Sequence, residues 1–593
     1  MKNYIHKYFF LLGEKRNKLF LLLSLFLLSS MLDLLGIGLI GPFISIATNP
    51  NSISDSTFWD IFNKIFGERG FQESIIIIGS LIIASFIIKA IIAFIVKKYI
   101  IKFSLGVQSD ITSKLMSAYQ YMPYKYHLKR NTSSLILSTS THTSTYAHHS
   151  LMQSLELLSE AFVAIIIFIF LSITNLYVML SMVFLLGIVY LLYDLTIKDR
   201  VKVAGEKTAN ASEGIIKGVK QAIEGLREIR VYGKEAYFKK VVKDFTIEYR
   251  DVSSYFGGLK IIPRYLFETT IMVFVIILSI IAVFNEDSTS MFTMIGVFGF
   301  AAVRLIPSAN RITQAIISMR FSYFAMNQLC EDLNQISFIK RDTGILQANQ
   351  VNNIPNKSKF NSLEIKNISY RYPDAAKDAI SDLSMLISKN QSIGIIGKTG
   401  SGKTTLINIL LGFFNPVKGS INFNGIPLED NLKEWLETIA YIPQDVFIID
   451  DSISNNIALG IPKSEIDKKK LEESINAAQL NDVIKRLPEK IDTVVGERGI
   501  RFSGGERQRL ALARAFYNDR EVIFMDEATA ALDTETEQKL VKAINNFKSD
   551  KTMIMIAHIL STLKDCDVIY KVKDGRIIEY GDYDEIINKK SKN

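Results

Sequence analysis

The stretch "SIGIIGKTGSGKTT", residues 392–405, decides how the C-terminal part of this chain folds. It opens as an apolar β-run, continues through Gly397, Lys398, Thr399, Gly400, Ser401, Gly402, Lys403, Thr404 and Thr405, and leads into the helix-compatible "LINILL". The spacing G-x-x-x-x-G-K-T between a strand and a helix is specific. Its glycines let successive backbone N–H groups curl around phosphate oxygens, and the helix that follows aims its positive end at the same place. Lys403 is placed to reach the β- and γ-phosphates, and Thr404 to ligate Mg²⁺. The segment predicts an α/β domain of the P-loop NTPase type, with every residue from Gly397 to Thr405 a candidate ATP contact.

Downstream, "EVIFMDEATAALD" (521–533) reads as a buried strand ending in two acids. Asp526 is placed to hold the Mg²⁺ shell. Glu527, next to it, is placed to polarise the attacking water as a general base. Between the two motifs lies "FSGGERQRLALARAF" (502–516). Its paired glycines open a helix and offer a second anion-binding terminus at Ser503, Gly504, Gly505 and Glu506. A nucleotide already cradled by its own glycine loop does not need this one. The second loop makes sense if it closes over the γ-phosphate bound on another subunit.

The chain has 593 residues, too many for one core. It is 48% apolar with a mean hydropathy of +0.19, and the excess falls before residue 330. Six apolar runs are long enough to span a bilayer, at roughly 19–48, 74–96, 151–173, 177–197, 260–284 and 289–318. The first is too long for a cleavable signal peptide and lacks a small-residue cleavage site. Five Lys and Arg precede it, whereas "ITNLY" carries no charge and "NEDSTS" only acids. By the positive-inside rule both termini are cytoplasmic. The net charge of +9 fits basic cytoplasmic loops, so no nucleic-acid partner is expected. Two cysteines, Cys330 and Cys566, exclude a disulfide scaffold and give no metal-site spacing.

This pattern divides the chain into a transmembrane domain (1–330), a polar linker (331–358), a nucleotide-binding domain (359–585) and a polar tail (586–593). The long polar segments 97–150 and 198–259 read as helical extensions into the cytoplasm. In "TFWDIFNKIF" (57–66), Phe58, Ile61, Phe62, Ile65 and Phe66 recur at helical spacing. They read as a short amphipathic helix on the outer membrane surface, or as apolar residues packed on the bundle end.

The order of these motifs resembles an ABC-transporter nucleotide-binding domain. With six spans ahead of it, the whole chain resembles an ABC-exporter half-transporter. The resemblance implies a six-helix, all-α transmembrane domain of the exporter fold followed by an ABC ATPase domain that hydrolyses ATP with Mg²⁺. Tyr372 in "YRYPD" matches the aromatic that stacks on adenine. Gln444 in "YIPQD" matches the glutamine that senses Mg²⁺ and touches the membrane domain, and "GERG" (496–499) matches the exporter X-loop. Asp533 in "AALD" matches the D-loop, and His558 in "MIAHILST" matches the switch histidine at the γ-phosphate. Taken singly, Tyr372, Gln444 and His558 would read as ordinary structural residues; their order around the other motifs gives them these roles.

The sequence departs from the family pattern in two places. Phe502 and Glu506 stand where leucine and glutamine are usual, and Ile559 follows His558 where arginine is common. Glu506 brings a negative charge towards phosphate, though a carboxylate in a helix's first turn also suits the dipole. One membrane domain and one ATPase domain per chain imply a homodimer with two equivalent composite sites.

Cargo must be read from the membrane half. Arg304 and Arg311, seven residues apart in "RLIPSANRI" (304–312), point the same way on a helix. By helical rise they lie about 22 Å and about 33 Å from the outer face, with Glu268 at about 24 Å and Arg264 at about 30 Å on the preceding span. Matching depth pairs Glu268 with Arg304 as a structural salt bridge and leaves no acid on these two spans for Arg264 and Arg311. Snorkelling to the interface is the plain alternative for those two. Lys89 adds a further cation on span two. Such a cluster suits an anionic headgroup, because the guanidinium fork fits phosphate oxygens.

"RLIPSANRI" and "PRYLFE" (263–268) are similar to the corresponding segments of PglK-type bacterial flippases for lipid-linked oligosaccharides. This implies an ATP-driven flippase in a bacterial cytoplasmic (inner) membrane that moves a polyprenyl-pyrophosphate-linked oligosaccharide to the periplasmic leaflet. Its pyrophosphate would meet Arg264, Arg304, Arg311 and Lys89. The alternatives are a general exporter of lipids, drugs or peptides, and an ATP-gated channel or regulator.

Overall fold

Apolar segments in lipid must satisfy their backbone groups internally, which leaves helices as the open-chain solution. The computed structural model describes residues 2–32, 64, 66–67, 71–283, 288–343, 359–373, 375–496, 499–527, 551–557 and 560–587. The chain divides into two compact units, Met1–Met122 with Tyr126–Thr343, and Pro123–Lys125 with Gly344–Asn593. Among the described residues the first unit contains helices and turns and no strand.

Four helices in the described residues are long and apolar enough to cross a membrane: Gln72–Tyr121, Thr132–Thr174, Leu176–Glu224 and Glu235–Ile281. At 50, 43, 49 and 47 residues, each is about 65–75 Å long, more than twice the hydrocarbon thickness. The polar segments around 97–150 and 198–259 therefore continue the spanning helices instead of forming separate domains. The expected span at 289–318 is the helix Ser288–Phe321, with Pro307 inside it. The expected span at 19–48 is helical over 18–32 and then leaves the described residues. Of the residues carrying the surface-helix expectation, only Phe66 is described.

Sequence patterning explains which faces pack. On the Phe71–Tyr121 helix, Ile83, Ile87, Ile91, Phe94 and Ile95 are exposed, a lipid-facing stripe at helical spacing. Ile100, Phe103, Val107, Ile111 and Leu115 continue the helix as a buried stripe. Polar clamps join the helices in their extended, polar parts. Asp332 is buried and accepts hydrogen bonds from Tyr119 Oη at 2.7 Å and Arg130 at 2.6 Å. Arg320 donates to Asp194 through its two terminal guanidinium nitrogens, at 2.5 and 3.1 Å. A buried carboxylate is tolerated only when paired in this way. The last helix of the unit, Tyr323–Thr343, runs beyond residue 330 into the expected linker.

The second unit is an α/β domain. Its strands are β1 (Ser362–Tyr370), β2 (Ile380–Ser388), β3 (Ser392–Ile396), β4 (Lys418–Phe423), β5 (Ile426–Pro427), β6 (Ile439–Ile442), β7 (Val522–Asp526), β8 (Thr552–Ile556), β9 (Val568–Lys573) and β10 (Arg576–Gly581). An antiparallel sheet has the order β2-β1-β4-β5, and a second sheet the order β10-β9-β3-β8-β7-β6. In the second sheet β9, β3, β8, β7 and β6 are parallel, with β10 added antiparallel at the edge. β7 and β8 are buried throughout, as continuous apolar runs in parallel sheets require. The parallel order brings the carboxyl ends of β3 and β7 to one edge with β8 between them, where open α/β sheets place their ligands. Trp435 is fully buried against Phe360, Phe423 and Phe524.

Candidate functional site

The loop after β3 turns on glycines for steric reasons. Gly400 and Gly402 adopt positive φ of 81° and 105°, a region costly for side-chain-bearing residues. A Cβ at Gly397 would lie 2.3 Å from the Val572 carbonyl, so the loop packs directly on β9. Gly402 is the N-cap of the helix Lys403–Leu410. Lys403 is buried, and its Nζ donates to the carbonyls of Gly397 at 2.8 Å and Lys398 at 3.2 Å. The ammonium thereby braces the loop from inside. The hydroxyl of Ser401 is buried with no hydrogen-bond partner among the described residues. A cavity of about 760 Å³ opens along Gly397, Lys398, Thr399, Gly400 and Ser401. An unpaired buried hydroxyl, a braced ammonium and left-handed glycines fit a phosphate chain.

Tyr372 shares a hydrogen bond with Thr405 Oγ1 at 3.1 Å, and its ring meets Tyr370 and Phe414 edge-on. It is thereby tied to the first turn of the helix that follows the loop.

The acids stand at the end of β7. Asp526 is buried as the last residue of the strand. Glu527 has a φ of 52°, in the left-handed region, and its N–H is fixed to the Ile556 carbonyl at 3.0 Å. A glutamate in that conformation costs about 1–2 kcal/mol, and such strain collects at functional positions. The amide of Gln444 donates to Glu527 Oε2 at 2.7 Å. The glutamine expected at the magnesium site and the expected general base are thus directly joined. On neighbouring β6, partial burial, with the Asp526 carboxylate adding to it, pushes the Tyr441 hydroxyl up to about 12. Thr404 is the second residue of the helix, directly after Lys403. Asp533 and His558 lie outside the described residues.

The helix Gly504–Asn518 starts with a capping box. Ser503 Oγ accepts from the Glu506 N–H at 3.3 Å, and Glu506 Oε2 accepts from the Ser503 N–H at 2.8 Å. Arg486 adds an ion pair to Glu506 Oε1 at 3.3 Å. The unusual glutamate therefore folds back onto its own helix end, where a carboxylate is favourable. Phe502, the other departure, is buried in the domain core. Glu506→Ala is expected to lower stability by about 1 kcal/mol through loss of the box. Glu506→Gln should stay near wild type, because an amide can make the same reciprocal bonds. Urea unfolding of the full-length protein checks both.

In the membrane unit the structure corrects the ion pairs read from depth. Glu268 pairs with Arg264, four residues earlier on its own helix, at 2.8 Å. Arg304 and Arg311 are both directed at Glu160, on the helix Met152–Thr174. Arg311 Nη1 donates to Glu160 Oε1, and Arg304 Nη1 stands 3.9 Å from Oε2. Ser308 donates to Oε2 at 2.7 Å. The acid that pairs with both arginines comes from a third helix, not from the two spans that carry Arg264, Glu268, Arg304 and Arg311. Lys89 lies over the ring of Phe86 on its own helix, 5.4 Å from the centroid.

Comparison with known proteins bears on both units. Residues 19–285 match the ABC transporter transmembrane region, and residues 380–530 match the ABC transporter domain. The chain is an ABC exporter half-transporter. It is 27% identical over 492 residues to an ATP-dependent lipid A-core flippase of Pseudomonas aeruginosa, covering 82% of this chain and 79% of that one. A protein of the same name from Wigglesworthia glossinidia brevipalpis is 28% identical over 505 residues, 84% of each chain. One from Cupriavidus metallidurans is 38% identical over 238 residues, only 40% of each. The half-transporter's fold is also that of a bacterial Atm1-family ABC exporter solved with ATP bound (TM-score 0.77, 20% identity, 97% and 98% coverage). It is a multi-pass membrane protein whose ATPase domain couples ATP hydrolysis to transport.

Two residues of the half-transporter's sites escaped sequence reasoning for different reasons. Glu160 lies far from both arginines in sequence, and no local pattern announces its partners. Arg486 likewise reaches Glu506 from another helix. The capping box was legible, since Ser503 and Glu506 stand in the S-x-x-E spacing that marks one.

Proposed function

We propose that the half-transporter is a homodimeric flippase of a bacterial cytoplasmic membrane, with both termini cytoplasmic. In this reading ATP hydrolysis moves an anionic glycolipid, a polyprenyl-pyrophosphate-linked oligosaccharide, from the cytoplasmic to the periplasmic leaflet. Lys403 and the loop from Gly397 to Thr405 hold the phosphates, and Tyr372 takes the adenine. Thr404, Gln444 and Asp526 hold Mg²⁺, which when bound neutralises phosphate charge. Glu527 receives the proton of the attacking water, and His558 orients the γ-phosphate. Ser503, Gly504, Gly505, Glu506 and Asp533 of one subunit close on the nucleotide of the other.

One observation carries the cargo assignment. Arg304 and Arg311 sit on one face of an apolar helix and converge on a single carboxylate. Charges at that depth are expensive and mark substrate paths, and planar guanidiniums match phosphate oxygens. Arg264 and Lys89 are the further cations of the path. The name of these relatives, lipid A-core flippase, supports lipid cargo and favours a second reading in which the glycolipid is of that kind.

ATPase activity of the dimer in nanodiscs, titrated with a polyprenyl-pyrophosphate oligosaccharide or with lipid A, separates the two. The oligosaccharide is expected to stimulate turnover. Arg304→Ala and Arg311→Ala should each raise its half-maximal concentration about tenfold, the loss of one charge-assisted contact. Stimulation by lipid A alone would replace the first reading with the second.

A further inference from the structure

We infer that Glu160 is a specificity-determining residue for anionic cargo: it holds Arg304 and Arg311 as an internal stand-in for a phosphate-bearing headgroup and yields Arg311 when that headgroup arrives. The inference rests on the reading that these arginines meet the cargo. Glu160 itself is nearly covered, whereas the Arg311 side chain is 53% exposed. The carboxylate is therefore inside the cluster and the guanidinium is at its open side. A headgroup reaches the arginine without first displacing the acid.

The cluster is built so that this exchange does not strand a charge. Removing the only partner of a buried carboxylate is strongly unfavourable. Glu160 has three groups directed at it, the two arginines and the Ser308 hydroxyl. When Arg311 turns outward, Ser308 continues to donate at 2.7 Å, and Arg304, standing 3.9 Å away, has room to close. Ser308 also fixes the carboxylate in place, so the long arginine side chain is the moving part. Selectivity follows from competition. A neutral or weakly charged lipid headgroup cannot draw Arg311 from a carboxylate, whereas a phosphate, with several oxygens and greater charge, can.

Direct binding tests this on the full-length dimer in phosphatidylcholine nanodiscs, with polyprenyl pyrophosphate or phosphatidylglycerol as the probe. Glu160→Gln keeps an acceptor for Ser308 and removes the competing charge. Polyprenyl pyrophosphate is expected to bind Glu160→Gln about fivefold tighter than wild type, the scale of a partly exposed ion pair. The gain should vanish in Arg311→Ala/Glu160→Gln compared with Arg311→Ala, because Glu160 acts through that arginine. Equal or weaker binding to Glu160→Gln overturns the inference. So does a gain that persists without Arg311. If Glu160→Gln does not assemble, Glu160→Asp, which keeps the charge and shortens its reach, should bind the probe tighter than wild type by a smaller factor. Unchanged binding there overturns the inference too. If phosphatidylglycerol binds with the same Glu160 dependence and the pyrophosphate does not, the pyrophosphate assignment falls, and with it the role of Glu160 in selecting the more highly charged headgroup.

Discussion

Replacing Glu527 by glutamine is expected to slow ATP turnover about 100- to 10,000-fold, the usual worth of a positioned general base, while ATP still binds. The structure makes this a clean substitution. Glu527 already accepts from the Gln444 amide at 2.7 Å, and a glutamine there can accept the same bond through its carbonyl oxygen. Its backbone is fixed independently, by the bond from its N–H to the Ile556 carbonyl on β8. Geometry should therefore survive while the capacity to take a proton is lost. Single-turnover hydrolysis with excess dimer, alongside nucleotide binding by the same variant, checks the two halves. Retained turnover would move the base elsewhere; lost binding would make Glu527 structural.

Trp435→Ala should have the largest effect on stability. The indole is fully buried and touches three aromatic rings, Phe360, Phe423 and Phe524. Its Nε1 donates to the Leu410 carbonyl at 2.8 Å. Leu410 ends the helix that begins at Lys403, so the indole supports the far end of the nucleotide-loop helix. Truncation leaves both a cavity and an unmet carbonyl, and the expected loss is about 3–5 kcal/mol. Against a typical domain stability of about 5–15 kcal/mol, that is a large share. Urea unfolding, followed by loss of nucleotide binding, measures it. Trp435→Phe, which refills most of the volume, should recover most of the difference. A loss below about 1 kcal/mol for alanine would contradict the packing described here.

Chemistry that depends on local order was legible in the sequence. The loop from Gly397 to Thr405 has a rigid spacing because its glycines either approach neighbouring backbone closely or adopt positive φ, and that spacing survives as text. The strand ending in Asp526 and Glu527 was legible for a similar reason, since a strand buried on both faces must be continuously apolar. The apolar runs likewise announced the helices among the described residues, though not how far they continue past the bilayer. Pairings between distant segments were harder to read. Glu160 meets Arg304 and Arg311 because two helices pack side by side, and sequence fixes neither their rotation nor their neighbours. The Arg264–Glu268 pair is different: its i, i+4 spacing was readable, and depth matching across spans hid a simpler local partner. Glu506 illustrates a third case: its charge can be read as facing phosphate or as suiting the first turn of a helix, and the structure shows the second, with the carboxylate closing a cap.

ATP-dependent translocation is the property on which the proposed function stands. Full-length dimer would be reconstituted in proteoliposomes carrying a polyprenyl-pyrophosphate-linked oligosaccharide, and the glycan reaching the opposite leaflet followed with and without ATP. The expected result is movement that requires ATP, is lost in Glu527→Gln and weakens in Arg304→Ala and Arg311→Ala. Sustained ATP hydrolysis with no movement of the glycolipid would contradict the assignment.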